Sequence, residues 1–178
     1  MPTLLHIDAS ARENSHTRRL GRLFIERWKA LRPEDLIVAR HVGQAPPSPV
    51  TKSWIASAFT KPERRTPGMR MALAESDALI EELERAEVIV ADVPMYNFGI
   101  PSAMKAYIDN IVRVGRTFGF DRSKPGDPYW PMLSGKRLVI LSARGDYGYA
   151  AGERMGHLNY VDRLHRLGGN AFDSGGIR

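Results

Sequence analysis

The chain has no cysteine among its 178 residues. That removes disulfides, thiolate metal sites and thiol nucleophiles together, and makes the cytoplasm the expected compartment. No apolar run approaches the ~20 residues that a membrane span needs. The opening stretch MPTLLHIDAS lacks the basic n-region and long h-region of a secretory leader. GxxxxGK[ST] and GxGxxG are both missing, so neither a triphosphate loop nor a dinucleotide fingerprint is expected, and no metal site is expected either. Acidic residues are the minority, 20 against 26 Lys plus Arg, for a formal charge of +6. Such an excess suits nucleic acid, a membrane surface or an anionic small molecule. The basic residues are scattered, however, with Arg18, Arg19, Arg22 and Arg64, Arg65 as the densest groups. A solvated basic surface with no nucleic-acid partner is the expectation.

What is present is an ordinary globular composition, 43% hydrophobic, in a chain long enough to bury its own core. A single domain over residues 1–178 is expected, with an atypical C-terminal part from about residue 160. Thr3 to Ile7 is a short apolar run that suits a buried parallel strand. From Thr17 the period becomes helical, with Leu20, Leu23, Phe24, Trp28 and Leu31 on one face and Pro33 as the stop. Leu36 to Ala39 reads as a second strand. Between Gly43 and Gly68 the pattern is lost among prolines, apart from a short helical piece at Ser53 to Ala58. A long helix runs from Met69 to Arg85, with Leu73, Ser76, Leu79, Ile80, Leu83 and Ala86 inward. It leads to the strand Val88 to Val93. Pro101 opens another helix with Met104, Tyr107, Ile108, Ile111 and Val112 as its stripe and Gly115 as a left-handed cap. Arg116 to Trp130 reads as an irregular loop, and Arg137 to Leu141 as a fourth strand. Strands alternating with helices imply an α/β fold, a doubly wound parallel sheet.

Three strand ends carry polar chemistry. Ser10, Ser15 and Thr17 stand at the entrance to the first helix, where free N–H groups and the dipole favour an anion such as a phosphate monoester. Capping the helix is the alternative role for Ser15 or Thr17. Met95, Tyr96, Asn97 and Phe98 follow the third strand, a polarizable chain, two rings and an amide that suit a flat heteroaromatic ring; alternatively Met95 and Phe98 pack as core. After the fourth strand, Gly145 lets backbone come close and Arg144 places charge beside a ring, unless Arg144 is a surface residue. In a strand order 2-1-3-4-5 these loops lie side by side at the switch point.

The stretch PMYNFGIPSAMKAYIDNIVRVGRTF, Pro94 to Phe118, resembles the signature of the FMN-dependent NADH-azoreductases, within the wider NAD(P)H:quinone oxidoreductase group of flavodoxin-like fold. The similarity runs from Thr3 to Asn159. It implies a three-layer flavodoxin-like fold. FMN would be held non-covalently at the edge of a homodimer interface, with NADH or NADPH and a quinone or azo acceptor alternating over one flavin face. It places Ser10, Ser15, His16 and Thr17 around the phosphate and Met95, Tyr96, Asn97 and Phe98 around the ring. Ala143, Arg144, Gly145 and Asp146 stand where the family often has Ser-Arg-Gly-Gly, so one hydroxyl and one glycine are replaced. Phe118 and Phe120 match positions that shape the substrate pocket. No catalytic acid or base is assigned.

A second departure is at the end, where no apolar segment after Tyr160 has the length of a fifth strand. Strand four would then be an open edge unless a partner covers it. Two other classes share the sheet order. A phosphoacceptor receiver domain would use Asp92 before Pro94, but it needs paired acids after strand one, and only Asp8 is there. A flavin-free or electron-carrier interaction protein is the other; carriers of this fold are usually acidic, against +6 here.

Overall fold

A computed structural model describes residues 2–124, 126 and 128–162. In chain order it has β1 (Thr3–Asp8), α1 (His16–Leu31), β2 (Leu36–Arg40), α2 (Lys52–Ala58), α3 (Pro67–Arg85), β3 (Val88–Asp92), α4 (Ser102–Ile111), β4 (Phe118–Phe120), β5 (Tyr129–Pro131) and β6 (Arg137–Leu141). Four strands form a parallel sheet in the order β2-β1-β3-β6. This is the flavodoxin-like arrangement expected, with Arg137–Leu141 as the strand beside β3. Among the described residues β6 pairs with β3 alone. The expectation about a fifth strand falls on residues 163–178, which lie outside the described ones.

Residues Arg116 to Trp130 are not the irregular loop expected, because β4 and β5 pair there as an antiparallel ribbon. Strands of three residues are too short to show a period. Their pairing rests on rings instead: Phe120 stacks on Tyr129 at 4.8 Å between centroids. Trp130 lies so close over Gly119 that a Cβ there would sit 2.0 Å from the indole.

The two faces of the sheet differ. On one, Leu5, Ile7, Ile89 and Ala91 pack with Leu79 and Leu83 of α3 and Met104 and Tyr107 of α4. Each such buried aliphatic or aromatic side chain contributes about 1.5–3 kcal/mol by leaving water. On the other face Leu4, Val88 and Val90, with Val139 and Leu141 of β6, meet Phe24, Ile25 and Trp28 of α1. Further along the same face stand His6, Asp8 and Asp92, all buried. Side chains alternate along a strand, so these three share a face with Leu4 and Val88.

Those buried polar groups on β1 and β3 correct the expected face of α1. Leu20, Leu23 and Leu31 are exposed, while Thr17 and Gly21 are buried and Phe24, Ile25 and Trp28 complete the contact. A helix packed over buried carboxylates needs small or hydroxyl residues above them and large apolar ones below. The stripe of leucines is turned to solvent. The inner faces of α3 and of Met104 to Ile111 on α4 are as expected, but Val112 is exposed. No helix among the described residues is long and apolar enough to cross a membrane.

Candidate functional site

The carboxyl ends of β1, β3 and β6 open into adjacent loops. After β1, Ser10 is buried and its N–H donates to Asp8 Oδ1 at 2.9 Å. Its hydroxyl accepts from the N–H of Arg12 at 3.3 Å. Ser15 is the N-cap of α1, accepting from the N–H of Arg18 at 3.3 Å. The capping role raised for Ser15 is therefore present. It leaves the N–H groups of His16 and Thr17, at the start of a 16-residue helix, without a partner among the described residues. His16 is exposed and Thr17 buried. The loop after β2 supports this one from below: Gly43 N–H donates to the Asp8 carbonyl at 3.0 Å. A Cβ at Gly43 would lie 2.3 Å from the backbone of Ser10.

After β3, Tyr96 and Gly99 exchange two backbone hydrogen bonds of 2.9 Å around Asn97 and Phe98. Both central residues are left-handed, with φ of 47° and 67°. That is the pattern of a type I′ turn, tolerable for asparagine but uncommon for phenylalanine. Strain of about 1–3 kcal/mol per such residue persists where surrounding contacts enforce it. Those contacts are visible. Met95 packs against the core below, as one of the alternatives for it required. Phe98 does not; its ring stays 41% exposed, near Tyr149. The Tyr96 hydroxyl reaches Ser10 Oγ at 3.4 Å and accepts from Ala11 N–H at 3.3 Å, joining the first and third loops.

After β6, Ser142 Oγ is buried with no partner among the described residues. Ala143 and Arg144 are half-buried, and Gly145 and Asp146 are exposed. Arg144 is paired with Asp162 at 2.5 Å. Residues 160–162, past the end of the sequence resemblance, fold onto the site. Tyr160 N–H donates to the Phe98 carbonyl at 2.9 Å, and Val161 is buried in the main core. Phe118 and Phe120 belong to the separate β4–β5 ribbon. It is anchored by Arg113, whose carbonyl accepts from Thr117 N–H at 3.0 Å and whose guanidinium is 1% exposed.

Beneath the first loop lies a charged cluster. Asp8 pairs with Arg18, and His41 Nδ1 stands 3.6 Å from the same carboxylate oxygen. His6 Nε2 and Asp92 Oδ2 share a hydrogen bond of 2.7 Å. Burial pushes the Asp92 carboxyl above its ordinary value, against the opposing pull of His6. The sequence signal that was available for this pair is an acid closing each of two apolar strands. Asp8 and Asp92 are register partners across β1 and β3. Nothing in the sequence singles out Arg18 or Gly21.

The site thus offers unpartnered N–H groups and a hydroxyl at a helix start, a strained turn with exposed ring and amide, and a buried unpartnered hydroxyl across from them. A phosphate monoester joined to a flat polar ring fits that set.

A family model described as flavodoxin-like fold matches residues 2–177. The fold and the loop cluster define a protein of the flavodoxin-like class. The chain is 43% identical over 169 residues to the FMN-dependent NADH:quinone oxidoreductase 2 of Idiomarina loihiensis, covering 89% of this chain and 70% of that protein. It is 39% identical over 164 residues to the FMN-dependent NAD(P)H:quinone oxidoreductase 1 of Pseudomonas aeruginosa, covering 91% and 77%. The chain belongs to this family of FMN-dependent quinone oxidoreductases. Among solved structures, an azoreductase from Bacillus anthracis superposes with a TM-score of 0.82 over 94% of this chain and 79% of its own, at 21% identity. At that identity the likeness supports the fold.

Proposed function

We propose that this chain binds FMN and passes electrons from NADH or NADPH to quinones or azo compounds, donor and acceptor using one place in turn. The observation that carries this reading is the left-handed Asn97–Phe98 turn, tied through Tyr96 to the loop that opens α1. The naming of its relatives as FMN-dependent oxidoreductases of NADH or NAD(P)H and quinone agrees with it. The cofactor supplies two-electron acceptance and donation. The protein supplies the rest. Ser10, Ser15, His16 and Thr17 hold the phosphate through hydroxyls and N–H groups, and Met95 to Phe98 hold the ring. The loop Ala143 to Asp146 contributes backbone donors, and Phe118 and Phe120 border the acceptor.

We read the chain as one cytoplasmic domain working as a homodimer. Exposed Ile55 and Phe59, one turn apart on α2 and its cap, are apolar surface of the kind that pairing would cover. The receiver alternative is disfavoured: Asp92 is fully buried against His6, out of reach of a phosphoryl donor.

The test is purification followed by FMN titration and NADH oxidation with a quinone. A yellow protein that turns over supports the reading; a colourless one that takes up no FMN removes it and leaves the interaction-protein alternative. A second measurement addresses the turn. Asn97→Gly keeps the left-handed backbone without strain, so the flavin-free protein should melt no lower than wild type. FMN affinity should fall by about three- to tenfold, the worth of one neutral hydrogen bond. Unchanged affinity would show that the amide is not a ligand.

A further inference from the structure

Resting on the flavin reading above, we infer that Arg18 is a positioning residue that presets the phosphate loop, an internal clamp distinct from the groups that touch the phosphate. Its side chain is 15% exposed and lies under the loop. Its Nε pairs with Asp8, one Nη donates to the Ser10 carbonyl at 2.7 Å, and the other approaches the Glu13 carbonyl at 3.4 Å. One guanidinium thereby joins the end of β1 to both ends of the stretch between Ser10 and Glu13. Residues 11–14 are exposed, and besides Arg18 they are held by two hydrogen bonds of 3.3 Å, from Ala11 N–H to the Tyr96 hydroxyl and from Arg12 N–H to Ser10 Oγ. The N–H groups of Ser10, Ala11 and Arg12 are taken up by Asp8, the Tyr96 hydroxyl and Ser10 Oγ, so the clamp fixes the path by which the loop delivers the N–H groups of His16 and Thr17, unpartnered among the described residues, at the start of α1.

The surrounding charges require this cation. Asp8 is 1% exposed, and Asp92 is a second buried carboxylate on the neighbouring strand. His41 faces Asp8 from the loop just after β2, and His6 faces Asp92 within the sheet. A phosphate dianion above this pair of acids would meet net negative charge without Arg18. With its guanidinium fixed beneath the loop, the anion meets a cation and the positive end of α1. A fork serves better than a point charge here, because three acceptors at fixed positions are engaged together.

The experiment is titration of FMN, and separately of riboflavin, into flavin-free wild type, Arg18→Gln and Arg18→Lys. Riboflavin has the same ring without the phosphate. Arg18→Gln should weaken FMN by about tenfold or more and leave riboflavin within about twofold. Arg18→Lys, which keeps the charge but not the fork, should recover only part of the loss. Amide exchange at residues 11–14 of the flavin-free protein should quicken in both variants. If Arg18→Gln does not fold, Arg18→Lys decides: weaker FMN with unchanged riboflavin supports the clamp. Wild-type FMN affinity in either variant, equal weakening of both flavins, or full recovery by lysine would overturn it. A wild type that takes up neither flavin overturns the flavin reading and the clamp with it.

Discussion

Asp77→Ala should destabilise the protein by about 3 kcal/mol, the lower end of what removing one partner of a buried ion pair costs. Arg113, the largest of the fully buried side chains, pairs with Asp77 and donates to Ser76 Oγ at 2.8 Å, while its Nε has no partner among the described residues. Without the carboxylate, a cation 1% exposed keeps a single neutral acceptor. The lower end applies because Asp77 itself is 37% exposed and shared with Arg116 at 2.8 Å, so water screens part of the attraction. The expected signature is a lower urea midpoint at unchanged slope. Arg113→Met combined with Asp77→Ala should recover much of the loss, since the stranded charge is gone. A single variant as stable as wild type would show that the pair contributes nothing. The consequence extends to function: Arg113 carries the start of the ribbon that presents Phe118 and Phe120. Loosening it should raise the KM for the acceptor more than it lowers FMN affinity.

Gly21→Ala should cost about as much, although it adds one methyl group. The new Cβ would lie 1.9 Å from Asp92 Oδ2 and 2.4 Å from Cγ and Oδ1. Asp92 has nowhere to retreat, being fully buried and held by His6 at 2.7 Å. Either α1 moves off the sheet, at the upper part of the overpacking range of about 1–3 kcal/mol, or the His6–Asp92 bond breaks and strands two buried polar groups at about 1–3 kcal/mol each. A shift of α1 also carries Thr17 and the first loop away from Tyr96, so FMN binding should fall along with the melting temperature. Asp92→Ala on top of Gly21→Ala makes room for the methyl and should restore part of the stability. A Gly21→Ala protein that melts like wild type would show that α1 does not sit this close.

Much of the architecture was legible because strong periods report burial directly. The runs at Thr3, Val88 and Arg137 are strands within a residue of where they were expected, and the α3 stripe from Leu73 to Leu83 is buried throughout. The site was legible in part. Ser15 stands at the start of α1 and Met95–Phe98 follows β3, as the helix and strand assignments require, but the left-handed conformation of Asn97 and Phe98 leaves no trace in two residues neither of which is glycine. The β4–β5 ribbon was invisible because three-residue strands held by ring stacking have no period.

The sequence by itself determined the alternation of strands and helices, and with it a parallel sheet, because such an alternation admits few right-handed arrangements; the strand order came with the family resemblance. Only the tertiary structure decided which face of α1 turns inward. Hydrophobic periodicity pointed to Leu20, Leu23 and Leu31 along with Phe24 and Trp28, but the sheet beneath is polar at His6, Asp8 and Asp92. The buried acids Asp8 and Asp92 require Gly21, Thr17 and Arg18 instead. A helix is oriented by the surface it covers, and that surface is assembled from strands far apart in the chain.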